Sequence, residues 1–295
     1  MIRPKTVSVF ILIIFLSQIS YGQKTESEIE NELIELHKDF SSEMKALMEQ
    51  VGIINSLERT HENYLKTDSL YNIYDSIEIE DLKLDFKYAF EHPYSMLVFK
   101  RVKFQIGRQP GMKFYDDFEK LYNSVTEEVR NSKEGVEMKE ELGYFKKSMP
   151  GSSCPEIVGK DFKGNDFDLK EFNNGRMLII EFWASWCEPC IRDLPFYDNL
   201  SSHYDSDKFG ILFVNLYDDS DKWRNTIDKY KMDKINWIHF SEAENESFSK
   251  NDFFVKGIPH TLVIDRSGMI VGKFKGSGER NKFGIIKLLK SYSDL

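Results

Sequence analysis

Two cysteines three residues apart, Cys187 and Cys190, place the strongest single constraint on this chain. They follow the apolar run Met177–Trp183 and precede Ile191–Tyr204, in which apolar residues recur with helical spacing. This order puts both cysteines between the end of a strand and the start of a helix. At a helix N-terminus, unpaired backbone N–H groups and the helix dipole stabilise a thiolate. The sequence therefore predicts a redox pair in which an exposed Cys187 attacks and an inner Cys190, one turn further on, resolves.

Zinc binding and a structural disulfide are the alternative roles for such a cysteine pair. Half of a zinc site would need two further ligands. The sequence has no second pair of closely spaced cysteines, and only Cys154 and His260 stand as outside ligand candidates. A purely structural disulfide closing so short a loop would restrict the unfolded chain little. We therefore predict redox chemistry with no metal and no other cofactor.

The C-terminal half alternates predicted strands and helices. The change of pattern falls at Met149–Ser153, and Lys163–Asn165 suits a hairpin turn. The alternation predicts a central mixed sheet flanked by helices, an α/β fold. The predicted strands are Met177–Trp183, Gly210–Tyr217, Asn236–Phe240, Thr261–Asp265 and a return strand ending near Phe274. The predicted helices are Ile191–Tyr204, Lys222–Tyr230 and Arg280–Tyr292.

The preceding segment, residues 23–150, has helical periodicity and predicts an all-α region of unknown role. Its first apolar stripe, from Ile29 to Ile54, predicts one long helix with a capping box between Thr25 and Glu28. Core packing accounts for that stripe better than a dedicated partner groove. The histidines of this region show no ligand-like spacing. The further predicted helices are Asp81–Phe90, Ser95–Ile106, Phe114–Arg130 and Glu134–Lys147.

The first 22 residues have the pattern of an export signal. Arg3 and Lys5 precede the apolar run Val7–Leu16, and Ser20–Gly22 offers a cleavage position, so the mature chain would begin near Gln23. If this segment is not cleaved, it provides the only membrane contact that the pattern allows. A formal net charge of −9 disfavours nucleic acid as a partner. We predict a signal peptide at 1–22, a helical domain at 23–150 and an α/β domain at 151–295.

The motif Phe182–Cys190, with Pro195 five residues after the second cysteine, resembles thioredoxin. More narrowly, it resembles the TlpA/ResA-like branch of exported thioredoxins, with further similarity at Pro155–Gly164, Asp218–Trp223 and Gly257–Asp265. The resemblance covers about half of the chain. It implies a thioredoxin-like fold and activity as a thiol-disulfide oxidoreductase.

The resemblance also implies roles for residues around the cysteines. Pro259 should follow a cis peptide bond and turn the Ile258 backbone toward an extended substrate segment. Glu181 matches a buried acid that would take the proton from Cys190. The position of Trp186 next to the nucleophile, independently of the resemblance, fits either packing at the rim or a part in the substrate-contact surface.

Three further residues near the motifs are predicted to have no catalytic role. Asp193 stands where ResA-like proteins have a glutamate, and its shorter side chain favours a solvated position on the helix. His260 is expected at the surface, because a lone histidine usually lies there. Cys154 is expected to be a buried, inert sulfur.

The sequence thus predicts an exported oxidoreductase that reduces or exchanges disulfides of periplasmic or envelope proteins and is recharged by an upstream thiol donor. The resemblance associates such proteins with cytochrome c maturation. A peroxiredoxin-like peroxidase is an alternative, although Ala184 stands where that class has Thr or Ser. A binding or assembly protein with a vestigial redox site is another.

Overall fold

A computed structural model describes residues 23–57, 60–108, 110–245 and 248–292. The predicted signal peptide, 1–22, lies outside these residues. No helix within the described ranges has an apolar stretch long enough to cross a bilayer. The helices before the sheet are α1 Glu26–Leu36, α2 Lys38–Asn55, α3 His61–Glu91, α4 Met96–Lys103, α5 Tyr115–Ser124, α6 Glu127–Asn131 and α7 Lys133–Lys147, with a 3-10 turn at Pro110–Lys113.

The first apolar stripe spans two helices, and the prediction of one long helix was wrong. The chain breaks at His37, which ends α1 and begins α2. The His37 side chain is buried against Asp81 and Asp85 of α3. These carboxylates lie more than 40 residues away in sequence, so local periodicity carried no sign of the break. The predicted capping box of Thr25 and Glu28 is confirmed.

The later helices also differ from the predictions in extent. Helix α3 is 31 residues long, whereas the periodicity indicated only Asp81–Phe90. The segment Phe114–Arg130 is two helices, because Val125 is extended and Thr126 caps the second helix by accepting the Val129 N–H. Such a cap supplies a hydrogen-bond acceptor for a backbone N–H in the first turn of the second helix, which has no partner within the helix.

The remaining elements are β1 Val158–Lys160, β2 Asp166–Asp168, α8 Leu169–Asn173, β3 Met177–Trp183, α9 Glu188–His203, β4 Phe209–Asn215, α10 Ser220–Lys229, β5 Trp237–Ser241, β6 His260–Ile264, β7 Ile270–Lys275 and α11 Glu279–Lys290. The five-stranded sheet has the order β5-β4-β3-β6-β7. Strand β3 pairs parallel to β4 and antiparallel to β6. The first two strands form a separate hairpin around the predicted turn.

This architecture confirms the predicted fold class, a thioredoxin-like α/β fold preceded by an all-α region. Every residue of β3 and β4 is buried, because helices cover both faces of the sheet. Alternation along β3 sends Ile179, Glu181 and Trp183 toward one layer and Ile180 and Phe182 toward the other. Glu181 is thereby placed on the side of the sheet that α9 covers.

The helical region and the sheet region share packing and polar contacts. Phe254, from the segment before β6, joins the apolar core of the helical region, with its ring 5.7 Å from that of Phe145. Gly107 adopts a positive φ of 75°, and a Cβ there would come within 2.6 Å of the Phe254 ring. Lys273 of β7 donates to the Ser148 hydroxyl at 2.6 Å, just after α7. These contacts fix the last helices against one end of the sheet.

Candidate active site

The two cysteines of the motif form a disulfide at the N-terminus of α9. Cys187 is the N-cap residue, and its sulfur accepts the Cys190 backbone N–H at 3.3 Å. Pro189 lies in the first turn, where a missing N–H costs no helical hydrogen bond. Once the pair is reduced, the same N–H and the helix dipole favour negative charge on the Cys187 sulfur.

Both cysteines are covered in this oxidised form. Cys187 is 4% exposed and Cys190 is 3% exposed. The expectation of an exposed nucleophile was therefore wrong for the disulfide state, since both sulfurs lie in the apolar cluster that also contains Trp183 and Leu194. The two cysteines are about equally buried, so burial does not indicate which thiol attacks the substrate. Their asymmetry comes from position, because Cys187 caps the helix and Cys190 lies within it.

Glu181 is buried in the middle of β3 and is held by two neutral hydroxyls. Its Oε2 atom accepts from Tyr197 at 2.7 Å and from Thr261 at 2.6 Å. Thr261 lies directly opposite it on β6, and Tyr197 comes from α9. Burial raises the pKa of Glu181 to about 8, although both hydrogen bonds oppose that shift. Glu181 is thus a carboxyl group that changes protonation state near neutral pH.

Asp193 does not lie on a solvated helix face, and that prediction was wrong. Its side chain is buried, and the Lys282 Nζ atom of α11 lies 2.8 Å from its Oδ1. The negative charge of Asp193 contributes to the raised pKa of Glu181. The partner is nearly 90 residues away in sequence, so the helix pattern alone could not reveal the ion pair.

The Ile258–Pro259 peptide bond is cis, as the resemblance implied. Ile258 packs against the apolar layers on both sides of the sheet. His260 begins β6 and is 1% exposed, so the expected surface position was wrong. Burial holds the pKa of His260 well below its usual range, and the positive charges of Lys273 and Lys275 act in the same direction. A neutral imidazole therefore lies beside the proline.

Trp186 and Tyr217 form an exposed aromatic pair next to the disulfide. Their side chains are 62% and 69% exposed, and their ring centroids lie 6.3 Å apart. Asp218 fixes this edge by accepting from the Ser185 backbone at 2.6 Å and from the Ser185 hydroxyl at 2.7 Å. Tyr217 adopts a positive φ of 69°, which is uncommon for a residue with a side chain.

Sequence reasoning missed Tyr217 as a surface residue of the site. It treated Tyr217 as the end of a buried strand, but the strand ends at Asn215 and the chain turns there. The similarity at Asp218–Trp223 was the available signal, since a polar residue directly after a buried strand often borders a site.

Cys154 is separate from the redox pair. It is half-buried before β1, and its backbone N–H donates to the Gly268 carbonyl oxygen at 2.8 Å. Burial raises the pKa of its thiol to about 12, which makes it a poor nucleophile at neutral pH. Across the described part of the chain, no cluster of three or more histidine, cysteine or acidic side chains is arranged to hold a metal ion.

The fold and the paired cysteines define the class of this protein, a thioredoxin-like thiol-disulfide oxidoreductase. Comparison with known families matches residues 149–286 to Redoxin. The thiol-disulfide oxidoreductase ResA of Bacillus cereus is 25% identical over 152 residues, covering 50% of this chain and 83% of ResA. ResA of Bacillus subtilis is 26% identical over 127 residues, covering 43% of this chain and 68% of ResA.

Among solved structures, a thiol-disulfide oxidoreductase from Bacteroides fragilis superposes with a TM-score of 0.41 and 22% identity, over 46% of this chain and 99% of its own. The C-terminal half of the chain contains a Redoxin domain and is similar to the TlpA/ResA-like proteins of the thioredoxin family. The relatives do not favour the peroxidase or vestigial-site alternatives. The roles of the individual site residues remain predictions.

Proposed function

We propose that this protein is an exported thiol-disulfide oxidoreductase that reduces or exchanges disulfides of envelope proteins through Cys187 and Cys190. The observation that carries the proposal is the disulfide between these residues at the N-terminus of α9, with the buried acid Glu181 beneath the same helix. Together they supply a stabilised thiolate, a second thiol and a proton acceptor.

The first step begins from the dithiol form. The Cys187 thiolate attacks one sulfur of a substrate disulfide, forms a mixed disulfide and releases the other substrate sulfur as a thiolate, which takes a proton from water. The backbone N–H of Cys190 stabilises the thiolate before attack, because it already points at the Cys187 sulfur.

The second step releases the substrate. The Cys190 thiol loses its proton to the Glu181 carboxylate and attacks the Cys187 sulfur, which expels the second substrate thiolate and forms the internal disulfide. Two electrons pass from the dithiol to the substrate. A carboxyl pKa of about 8 lies close to the ordinary value of a thiol, about 8.5, so this proton transfer is nearly balanced in free energy.

Substrate would lie across the edge formed by Trp186 and the cis-proline loop. Trp186 presents a largely exposed ring beside the disulfide. In the proposed arrangement the Ile258 backbone pairs with an extended substrate segment, as a strand adds to a sheet edge. Pro259 and the following strand hold that backbone in place.

The proposed direction is reduction. Glu188 directly follows the nucleophile and adds negative charge near its thiolate, which disfavours a very low thiol pKa and a strongly oxidising centre. An upstream thiol donor would return two electrons to the disulfide after each cycle. Cytochrome c maturation is the process that the resemblance associates with this chemistry.

We further propose that residues 1–22 direct export, that 23–150 form a helical domain and that 151–295 form the thioredoxin-like domain. The division follows the change from helices to strands between Lys147 and Val158. Expression of the full chain in a Gram-negative host, followed by cell fractionation and intact mass measurement, tests the export. We expect an envelope protein whose chain begins near Gln23; a full-length cytoplasmic product contradicts the proposal.

Trapping with insulin tests the exchange mechanism. Reduced Cys190→Ser protein should accumulate a mixed disulfide with an insulin chain, which non-reducing mass spectrometry would locate at Cys187. The matched Cys187→Ser variant should trap at least about tenfold less, because its remaining thiol lies within the helix and not at the N-cap position. Cys154→Ser serves as the control and should reduce insulin like the wild type. Absence of a mixed disulfide, together with no insulin reduction by the wild type, would overturn the proposal.

A further inference from the structure

A basic cavity lies between the helical region and the cis-proline loop. Its volume is about 360 Å³, and both halves of the chain contribute to its lining. Lys100, Lys103 and Arg108 come from the helical region, Lys256 comes from the segment before β6, and Lys275 is the last residue of β7. This feature is independent of the disulfide and of Glu181.

The positive charges of the cavity exceed its negative charges. The five cations of the lining face only two lining carboxylates, which pair with Lys100 and Lys256 at 2.8 Å each. Lys103 pairs outside the lining with Glu137. Outside the lining, Arg108 interacts electrostatically with Glu78 of α3.

Lys275 shows the effect of this imbalance. Burial lowers its pKa, and the positive charges of Arg108 and Lys256 lower it further. Arg108 lies with its guanidinium carbon 3.6 Å from the ring centroid of Phe104, whose side chain is 61% exposed. The cavity thus combines repelling cations with an exposed apolar ring, and a bound anion would relieve the repulsion.

The cavity adjoins the loop that is proposed to bind substrate. Lys275 is the cross-strand partner of His260, and the next residue, Gly276, donates its N–H to the Pro259 carbonyl oxygen at 2.8 Å. Lys256 stands three residues before Pro259. The cavity therefore borders the loop at which an extended substrate segment would pair with the Ile258 backbone.

We propose that this cavity binds acidic side chains of the substrate polypeptide, on the segment that flanks its disulfide, so that the helical region takes part in substrate selection. The inference rests on the proposed function. Carboxylates match the cavity because lysine and arginine heads bind them directly, and an extended segment reaches both the loop and the cavity.

Matched peptides test the inference. Three cyclic peptides, each closed by one disulfide, differ only at flanking positions that carry glutamate, glutamine or lysine. The second-order rate constant for their reduction by the dithiol protein is followed by chromatography. We expect the glutamate peptide to react about tenfold faster than the glutamine peptide at about 0.01 M salt, and about equally at about 1 M salt.

Variants at Lys275 assign the effect to the cavity. Lys275→Gln should lower the preference for glutamate over glutamine about threefold, and Lys275→Glu should reverse it. Reduction of the glutamine peptide should keep the wild-type rate, which shows that the variants are folded. The matched control is Lys120→Gln, an exposed lysine on α5 outside the cavity lining, which should leave the preference unchanged.

A binding measurement separates this inference from the proposed function. A fluorescent linear glutamate peptide without cysteine should bind the oxidised wild type more tightly than Lys275→Glu, as measured by anisotropy. Equal reduction of all three peptides, or binding of inorganic phosphate without binding of the peptide, would overturn the inference alone. If the wild type reduces none of the peptides, the proposed function fails, and the anisotropy result decides whether the cavity still binds acidic segments.

Discussion

Each half of the molecule contains a buried acid, and the two acids have different surroundings. Asp85 of the helical region is 1% exposed and lies 3.0 Å from the His37 Nε2 atom and 2.6 Å from the Arg101 Nε atom. Glu181 of the thioredoxin-like half is equally buried, yet its hydrogen-bond donors are the neutral hydroxyls of Tyr197 and Thr261. One carboxylate has cationic partners, and the other has only uncharged donors.

The difference separates a structural charge from a group that can exchange a proton. Burial alone would lower the pKa of His37, but Asp81 and Asp85 raise it to about 9, so the His37 imidazole stays protonated at neutral pH. Burial raises the pKa of Glu181 to about 8, within reach of the thiol chemistry. A buried acid with only neutral donors is therefore the better candidate for a functional group.

The largest expected effect is on the redox pair itself. Cys187→Ser should lower insulin reduction by at least about a thousandfold, because the attacking thiolate is lost. Cys154→Ser should change the rate less than about twofold, since its thiol pKa of about 12 keeps it protonated. A turbidity assay of insulin measures both rates. Residual activity in Cys187→Ser that requires Cys154 would contradict the assignment.

The next effect concerns His37 and its two carboxylate partners in the helical region. His37→Gln should destabilise the protein by about 3 kcal/mol at about pH 6, because the buried Asp85 and the partly buried Asp81 lose a cationic partner. The folded-state pKa of His37, about 9, lies above its reference value of 6.5. Its contribution to stability is complete below pH 6.5 and is lost as the pH rises through 9. Urea unfolding of the oxidised proteins at several pH values checks this.

Replacing Glu181 should have the opposite effect on stability to replacing His37. Stability from the raised pKa of Glu181 is present below pH 4.5 and is lost as the pH rises through about 8. Glu181→Gln should therefore be more stable than the wild type above about pH 8, by roughly 1–3 kcal/mol. The same urea titrations give this difference. A Glu181→Gln protein that loses stability at high pH, as a broken ion pair would, contradicts the comparison.

The smallest effect concerns the exposed aromatic pair. Tyr217→Ala should raise KM for a protein disulfide about threefold and leave the reaction with a small disulfide unchanged, because only a large substrate extends over the ring. Tyr230→Ala, another exposed tyrosine away from the disulfide, is the matched control. Equal effects of both variants, or a change toward the small disulfide, would assign Tyr217 a structural role.

Features that depend on residues close together in the sequence were predictable. Strand β3 was predicted with its observed bounds, because an unbroken apolar run followed by a cysteine motif marks a strand buried on both faces. The positions of Cys187, Cys190 and the cis-proline followed from local motifs as well. Glu181 was recognisable because it lies within this run at a position where the resemblance implies a buried acid.

Features that depend on distant partners were not predictable in this way. The helix break at His37 requires Asp81 and Asp85, and the burial of Asp193 requires Lys282. The insertion of Phe254 into the helical core depends on how the two regions pack. Each arises from tertiary contacts that local periodicity does not encode.

The pH dependence of the second step tests the central claim, that Glu181 takes the proton of Cys190, most directly. Release of substrate from the Cys187 mixed disulfide can be followed in single turnover from about pH 6 to about pH 9. We expect a wild-type rate that rises with pH toward a plateau above about 8, and a Glu181→Gln rate that is lower by about ten- to a hundredfold and lacks that inflection. Identical pH profiles for the two proteins would contradict the claim.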